Sequence, residues 1–127
     1  MVNSLRIKIQ TALNTITTVD AGVPVPDNVV EEGTTYFGYE LQTASTFETY
    51  NRDRRVQIVL IGRVVRVDDP NENTLSIVDT AVNEIVGVLT NMNFVCDTQD
   101  ITLDQNIRKT QISAVAVYDT MNDTIVI

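Results

Sequence analysis

Asp69, Asn71 and Asn73 stand at the alternate spacing that opens a calcium-binding loop, where side-chain oxygens on every second residue converge on a hard cation. Such a loop needs glycine at its sixth position and a bidentate glutamate at its twelfth; here those positions hold Thr74 and Thr80. A turn followed by a helix cap accounts for the same residues. The acidic pairs Asp68-Asp69 and Glu31-Glu32 carry the groups for acid–base work, and equally those of a solvated surface. The chain has no histidine. That removes the side chain that titrates near neutral pH and, with it, Ser-His-Asp and Cys-His arrangements. The single cysteine, Cys96, can form neither an internal disulfide nor a Cys/His zinc site, and in a strand-like setting it reads as a small core residue. There is no Walker or GxGxxG loop. The sequence therefore predicts no catalytic residue, no metal and no cofactor.

Arginine is the other notable chemistry. Arg52, Arg54, Arg55, Arg63 and Arg66 make up five of the nine basic residues. The net charge is −8, against a protein whose affinity rests on neutralising phosphates. A DNA groove is one reading of the cluster. Bidentate pairs with carboxylates, either Glu48 and Asp53 or those of a neighbouring subunit, suit guanidinium geometry better.

The elements that must position these residues follow from periodicity. Val2, Leu5, Ile9, Leu13 and Ile16 step by three and four, which predicts a helix over about Ser4 to Thr17 that fades into Thr15, Thr17 and Thr18. Val19 to Thr35 reads as a connector punctuated by Gly22, Pro24, Pro26 and Gly33. A first strand is expected over Thr35 to Ala44, with Phe37, Tyr39 and Leu41 on one face and Tyr36, Gly38 and Glu40 on the other. A polar arm, Thr43 to Arg55, leads into the second strand, Arg55 to Val67. There Val56, Ile58, Leu60, Val64 and Arg66 share one face and Val59, Ile61, Val65 and Val67 the other. Apolar residues on both faces predict a central strand, covered on both sides or covered on one by a neighbouring subunit.

Asn71 or Asn73 caps a second helix, Glu72 to Thr90, whose face Leu75, Val78, Val82, Ile85 and Leu89 is expected in the core. Gly87 within it is a weakness or a close-packing point. Further strands are expected at Asn93 to Asp97, resuming near Ile101-Leu103, at Lys109 to Asp119 and at Thr124 to Ile127. The expectation is one α+β domain, residues 1–127, with a mostly antiparallel central sheet of about four strands, two flanking helices and a long hairpin arm. No apolar run approaches the ~20 residues of a membrane helix. The N-terminus lacks the apolar core of a signal peptide, so synthesis in the cytoplasm is expected.

This order resembles the tail terminator (tail completion) proteins of long-tailed bacteriophages. The likeness rests on the strand Tyr36-Phe37-Gly38-Tyr39, the arm ending in Tyr50-Asn51-Arg52-Asp53, the strand Val56 to Gly62, the helix Leu75 to Leu89, and the Phe94 and Ile112 to Tyr118 strands. It implies a structural virion protein of the tail, made in the host cytoplasm, that forms a homo-hexameric ring on the last ring of the tail tube. Its implied partners are further copies of itself, the tail tube protein and the head–tail connector protein. DNA passes through such a ring without specific binding, and no membrane and no catalysis is involved. The arm, with Glu48, Arg52, Asp53, Arg54 and Arg55, would supply the subunit or tube interface. A head-closure protein or a tube subunit shares the plan. A small ligand-binding domain or enzyme, using a pocket between sheet and helix, is the reading from a different class.

Overall fold

The computed structural model describes residues 2–22, 34–46, 55–67, 73–101, 107–119 and 124–126. Helix α1 spans Val2–Leu13. Leu5, Ile9 and Leu13 lie one turn apart and are buried, and the stripe continues through Ile16 and Val19. The helix stops short of Thr17. Thr15 N donates to Ala12 O (3.2 Å) and Ile16 N to Leu13 O (3.0 Å), the tighter spacing of a 3₁₀ turn. The β-branched Thr15, Thr17 and Thr18 lose rotamer freedom in a helix, which favours this early exit.

Strand β1 (Asp20–Ala21) lies inside the stretch expected as a connector. It runs parallel to β2 (Thr35–Thr46), with Asp20 opposite Tyr36 and Ala21 opposite Phe37. β2 forms an antiparallel hairpin with β3 (Arg55–Val67), in register from Thr35↔Arg66 to Thr43↔Ile58. The register then shifts to Ser45↔Gln57, so that Ala44 is the extra residue of a β-bulge. β2 thus runs two residues past the expected end, into what the sequence suggested was the arm; residues 47–54, the rest of that arm, lie outside the described residues.

Helix α2 spans Thr74–Asn91, and Asn73 caps it by accepting the Ser76 N–H at 3.3 Å. Its far end is a Schellman turn. Asn93 takes φ +70°, its N–H goes to Thr90 O, and the Phe94 N–H returns to Leu89 O. Leu89 and Phe94, the apolar pair of that motif, are both buried. The buried stripe of α2 is Thr74, Val78, Ala81, Val82, Ile85 and Leu89. Leu75 is not part of it and is 52 % exposed. The residue one full turn before Val78 is Thr74, and Leu75 falls on the margin of the stripe. Gly87 is likewise no close-packing point, because a Cβ there would meet nothing within 4 Å.

The chain returns in β4 (Val95–Asp100), β5 (Ile107–Asp119) and β6 (Thr124–Ile125). β4 is continuous where the sequence suggested an interruption. β5 lies antiparallel to β3 along its whole length, from Arg55↔Asp119 to Val67↔Ile107. β4 and β6 both pair antiparallel with β5, at Val95↔Val115 to Asp100↔Thr110 and at Tyr118↔Ile125. Among the described residues the order is β1-β2-β3-β5-β4 with β6 beside β5, a mixed six-stranded sheet in an α+β fold. β6 falls within the final strand expected at Thr124 to Ile127, and the two-residue β1 is the strand the sequence did not suggest. β3 is central, as its two apolar faces require.

Both helices pack on one face of the sheet. Their apolar stripes meet Phe37 and Leu41 of β2, Ile58, Leu60 and Val64 of β3, and Ile112, Ala114, Ala116 and Tyr118 of β5 in one buried cluster. Among the described residues, no helix is long and apolar enough to cross a membrane.

Candidate interaction surface

The other face of the sheet has no described helix on it. Side chains directly opposite in an antiparallel ladder share a face, so the pairings assign its rows. One row is Gln42, Val59, Val115 and Val95, across β2, β3, β5 and β4. The next is Glu40, Ile61, Ser113 and Asp97, and beyond it lies Gly38, Arg63, Gln111 and Gln99. On the opposite side of the valine row stand Gln57 and Val117. Strands lie ~4.8 Å apart, so Val59, Val115 and Val95 make an apolar bar ~10 Å long. Val95 is 78 % exposed and Ile61 37 %. Glu40, Asp97, Arg63 and Gln99 stand around this patch and are exposed. An apolar centre inside a polar rim is the anatomy of a protein–protein contact.

Of the arm residues assigned to an interface, Glu48, Arg52, Asp53 and Arg54 lie outside the described residues. Arg55 is placed by its backbone as the first residue of β3, opposite Asp119. The arginines of β3 itself do not form one basic surface. Arg63 is exposed on the helix-free face, whereas Arg66 points to the helix side and is buried, its Nη1 donating to Thr35 Oγ1 at 2.8 Å. Odd and even positions of a strand face opposite ways, which sequence proximity conceals.

At the β2 edge a polar knot ties three elements together. Tyr39 Oη donates to Gln10 Oε1 at 2.6 Å, while Gln10 Nε2 donates to Ala21 O at 3.0 Å and to Asn14 Oδ1 at 2.8 Å. Burial pushes the Tyr39 phenol above its usual value, and the Arg6 guanidinium nearby pulls the other way. Arg6, Gly22, Tyr39, Glu40 and Leu41 line one groove along this edge. A second groove runs between α2 and the β4–β5 hairpin, about 400 Å³ in volume, with Val78 and Val82 at its floor and Asp79, Asp100 and Arg108 among its polar lining. Cys96, expected in the core, is half-buried at its margin; burial raises its thiol pKa and a Thr90 hydrogen bond lowers it. Among the described residues no three cysteine, aspartate or glutamate side chains converge as a metal site. Asn73, the last of the calcium-like trio, serves instead as the cap of α2.

No family model matches this chain, and no curated protein is detectably similar to it.

Sequence reasoning recognises the second apolar face of β3 but misses its partners. Val95, Val115 and Val117 join Val59 and Ile61 only through long-range pairing, which single-strand periodicity does not contain. Arg6 and Gln10 are missed for the same reason, as polar positions on an amphipathic helix.

Proposed function

We propose that this chain is a structural subunit that closes into a homo-hexameric ring, caps the tail tube of a long-tailed phage, and forms the surface that joins tail to head. The carrying observation is the helix-free sheet face, where the exposed Val95 and Ile61 stand beside half-buried Val59 and Val115 with no described helix over them. A patch of this kind lowers its free energy by meeting protein, such as the tube or the connector, and a closed ring repeats its subunit contact around its circumference. The sequence likeness to tail terminators supplies the rest of the reading, including the virion tail as its place and the tube and connector proteins as its partners. The chain's charge of −8 suits a lumen through which DNA slides without adhesion.

Electron microscopy of the purified protein at rising concentration, alone and with growing tail tubes, tests this. Rings, and tubes that stop growing when the protein is added, are the expected result. Long polymers of the protein alone would make it a tube subunit, and rings that bind connectors but leave tube growth unaltered would make it a head-closure protein. The groove between α2 and the β4–β5 hairpin favours a second reading, a small ligand-binding domain. That reading predicts a monomer at every concentration.

A further inference from the structure

We propose that copies of this chain join by edge pairing, with β4 of one copy adding to β2 of the next. The inference deepens the ring reading by naming the contact that would close it. It rests on direction, register, length and charge.

Direction comes first. The path β2-β3-β5-β4 alternates in sense at every step. Four alternating strands leave the two edges running in opposite directions. A second copy set beside the first, helices on the same side, therefore brings β4 antiparallel to β2. The contact is head-to-tail, which is the kind that generates rings.

Hydrogen-bond polarity and side-chain facing then restrict the register. Ile101 N donates to Lys109 O, so Gln99, Asp97 and Val95 are the β4 residues that exchange bonds with β5. The amides of Cys96, Thr98 and Asp100 point away from the sheet. Thr98 N–H is in fact accepted by the Asp97 carboxylate at 3.0 Å, a local cap on an edge amide. On β2, Phe37 O points outward, since it accepts the Gly22 N–H. Tyr39, Leu41 and Thr43 share that outward sense. Tyr39 and Leu41 of β2 and Cys96, Thr98 and Asp100 of β4 also lie on the helix face of their strands. One alignment satisfies both conditions nearest to β1, which already occupies Phe37: Tyr39 opposite Asp100, Leu41 opposite Thr98, and Thr43 opposite Cys96.

Length agrees with this. Among the described residues, β2's outer edge is open from Gly38, where β1 ends, to Thr43, where the Ala44 bulge begins. Bulges terminate pairing at sheet edges. The open stretch and β4 are both six residues long.

Charge selects the partner. In this alignment Asp100 of one copy comes beside Tyr39 of the next, and Arg6 lines the same groove as Tyr39. On the other face Gln42 meets Asp97 and Glu40 meets Gln99, so no two acids stand opposite each other. Pairing of β4 with another β4 would instead place Asp97 and Asp100 of both copies in one ladder, with no basic residue on either strand.

The test uses the full-length chain. Thr43→Cys places a thiol opposite the native Cys96 of the next copy, at the Cα separation of a paired ladder, which a disulfide can span. Mild oxidation at a concentration where the wild type assembles should give a ladder of cross-linked chains, lost when Cys96→Ser is added. Arg6→Glu should weaken association at least tenfold, and Arg6→Glu with Asp100→Arg should recover most of it. Thr98→Pro removes an outward amide while sparing the bonds to β5; circular dichroism checks its fold, and its assembly should be abolished. Rings that form without cross-links and tolerate Arg6→Glu overturn edge pairing and leave the ring reading standing. A product that stops at a two-chain species linked through Cys96 alone means β4 pairs with itself and overturns the proposal. A monomer at every concentration, with no cross-link, overturns both.

Discussion

Phe37 occupies the space that a side chain at position 62 would need. A Cβ built on Gly62 would stand 2.5 Å from Phe37 Cε1 and 2.6 Å from its Cζ. Phe37 comes from β2, is fully buried, and stacks on Tyr39 with ring centroids 5.5 Å apart. The glycine in the best strand of the chain is therefore a seat for an aromatic ring.

Gly62→Ala should accordingly destabilise the protein by about 1–3 kcal/mol, the usual cost of overpacking. Denaturant melts measure it. Phe37→Leu in the same chain should show coupling between the two sites in a double-mutant cycle. Strict additivity would mean the ring is not the obstacle.

Gly87→Ala should do the opposite. Position 87 lies inside α2 and a methyl group there meets open space. Removing the backbone freedom of glycine from a helix interior should stabilise by about 0.5–1 kcal/mol. A lower melting temperature would place an unseen contact at that position.

Leu89→Ala and Leu75→Ala should separate cleanly. Leu89 is wholly buried and closes the Schellman turn against Phe94, so its truncation should cost about 2–5 kcal/mol. Leu75 is half exposed, and its truncation should stay within about 0.5 kcal/mol. Equal effects in urea titrations would mean the helix is rotated from the arrangement described.

Tyr39 should make stability fall in alkali. Its phenol is raised in the folded state, chiefly by burial. The folded protein then holds its proton longer than the unfolded chain does. The stabilisation is complete below the unfolded value of about 10 and is lost as pH rises through the folded one. Cys96 is raised too and acts in the same sense from a lower pH, so the comparison belongs in a Cys96→Ser background. Tyr39→Phe should flatten the slope above about pH 10 and cost about 0.5–1.5 kcal/mol below it, for the lost bond to Gln10. An unchanged slope would assign the alkaline loss to other groups.

Much of the fold is legible in the residue pattern because each long element carries its own period. Arg55 to Val67 alternates so regularly that both strand ends and both faces can be read from it. The apolar steps of α2 give the helix, but they cannot decide whether Leu75 or Thr74 leads the buried stripe, since both lie within a turn of Val78. β1 is illegible because two residues have no period and pair only through Tyr36 and Phe37. The candidate surface is half legible. Val59 and Ile61 announce a second apolar face, whereas the valine row appears only once β5 and β4 are laid beside β3. The arginine cluster misleads for a geometric reason: Arg63 and Arg66 are close in sequence and on opposite sides of the sheet.

The pairing of β3 with β5 also bears on how the chain folds. β2–β3 and β4–β5 are local hairpins, but their shared seam joins residues that lie far apart in the chain, with α2 and β4 between them. Loop-closure entropy makes such non-local pairing slow relative to the hairpins themselves. The shortest loop is closed at the Val67–Ile107 end, so the seam is expected to zip from there toward Arg55 and Asp119. Refolding kinetics would reveal that order. Substitutions near Val64 and Thr110 should slow folding, whereas those near Val56 and Tyr118 should chiefly speed unfolding.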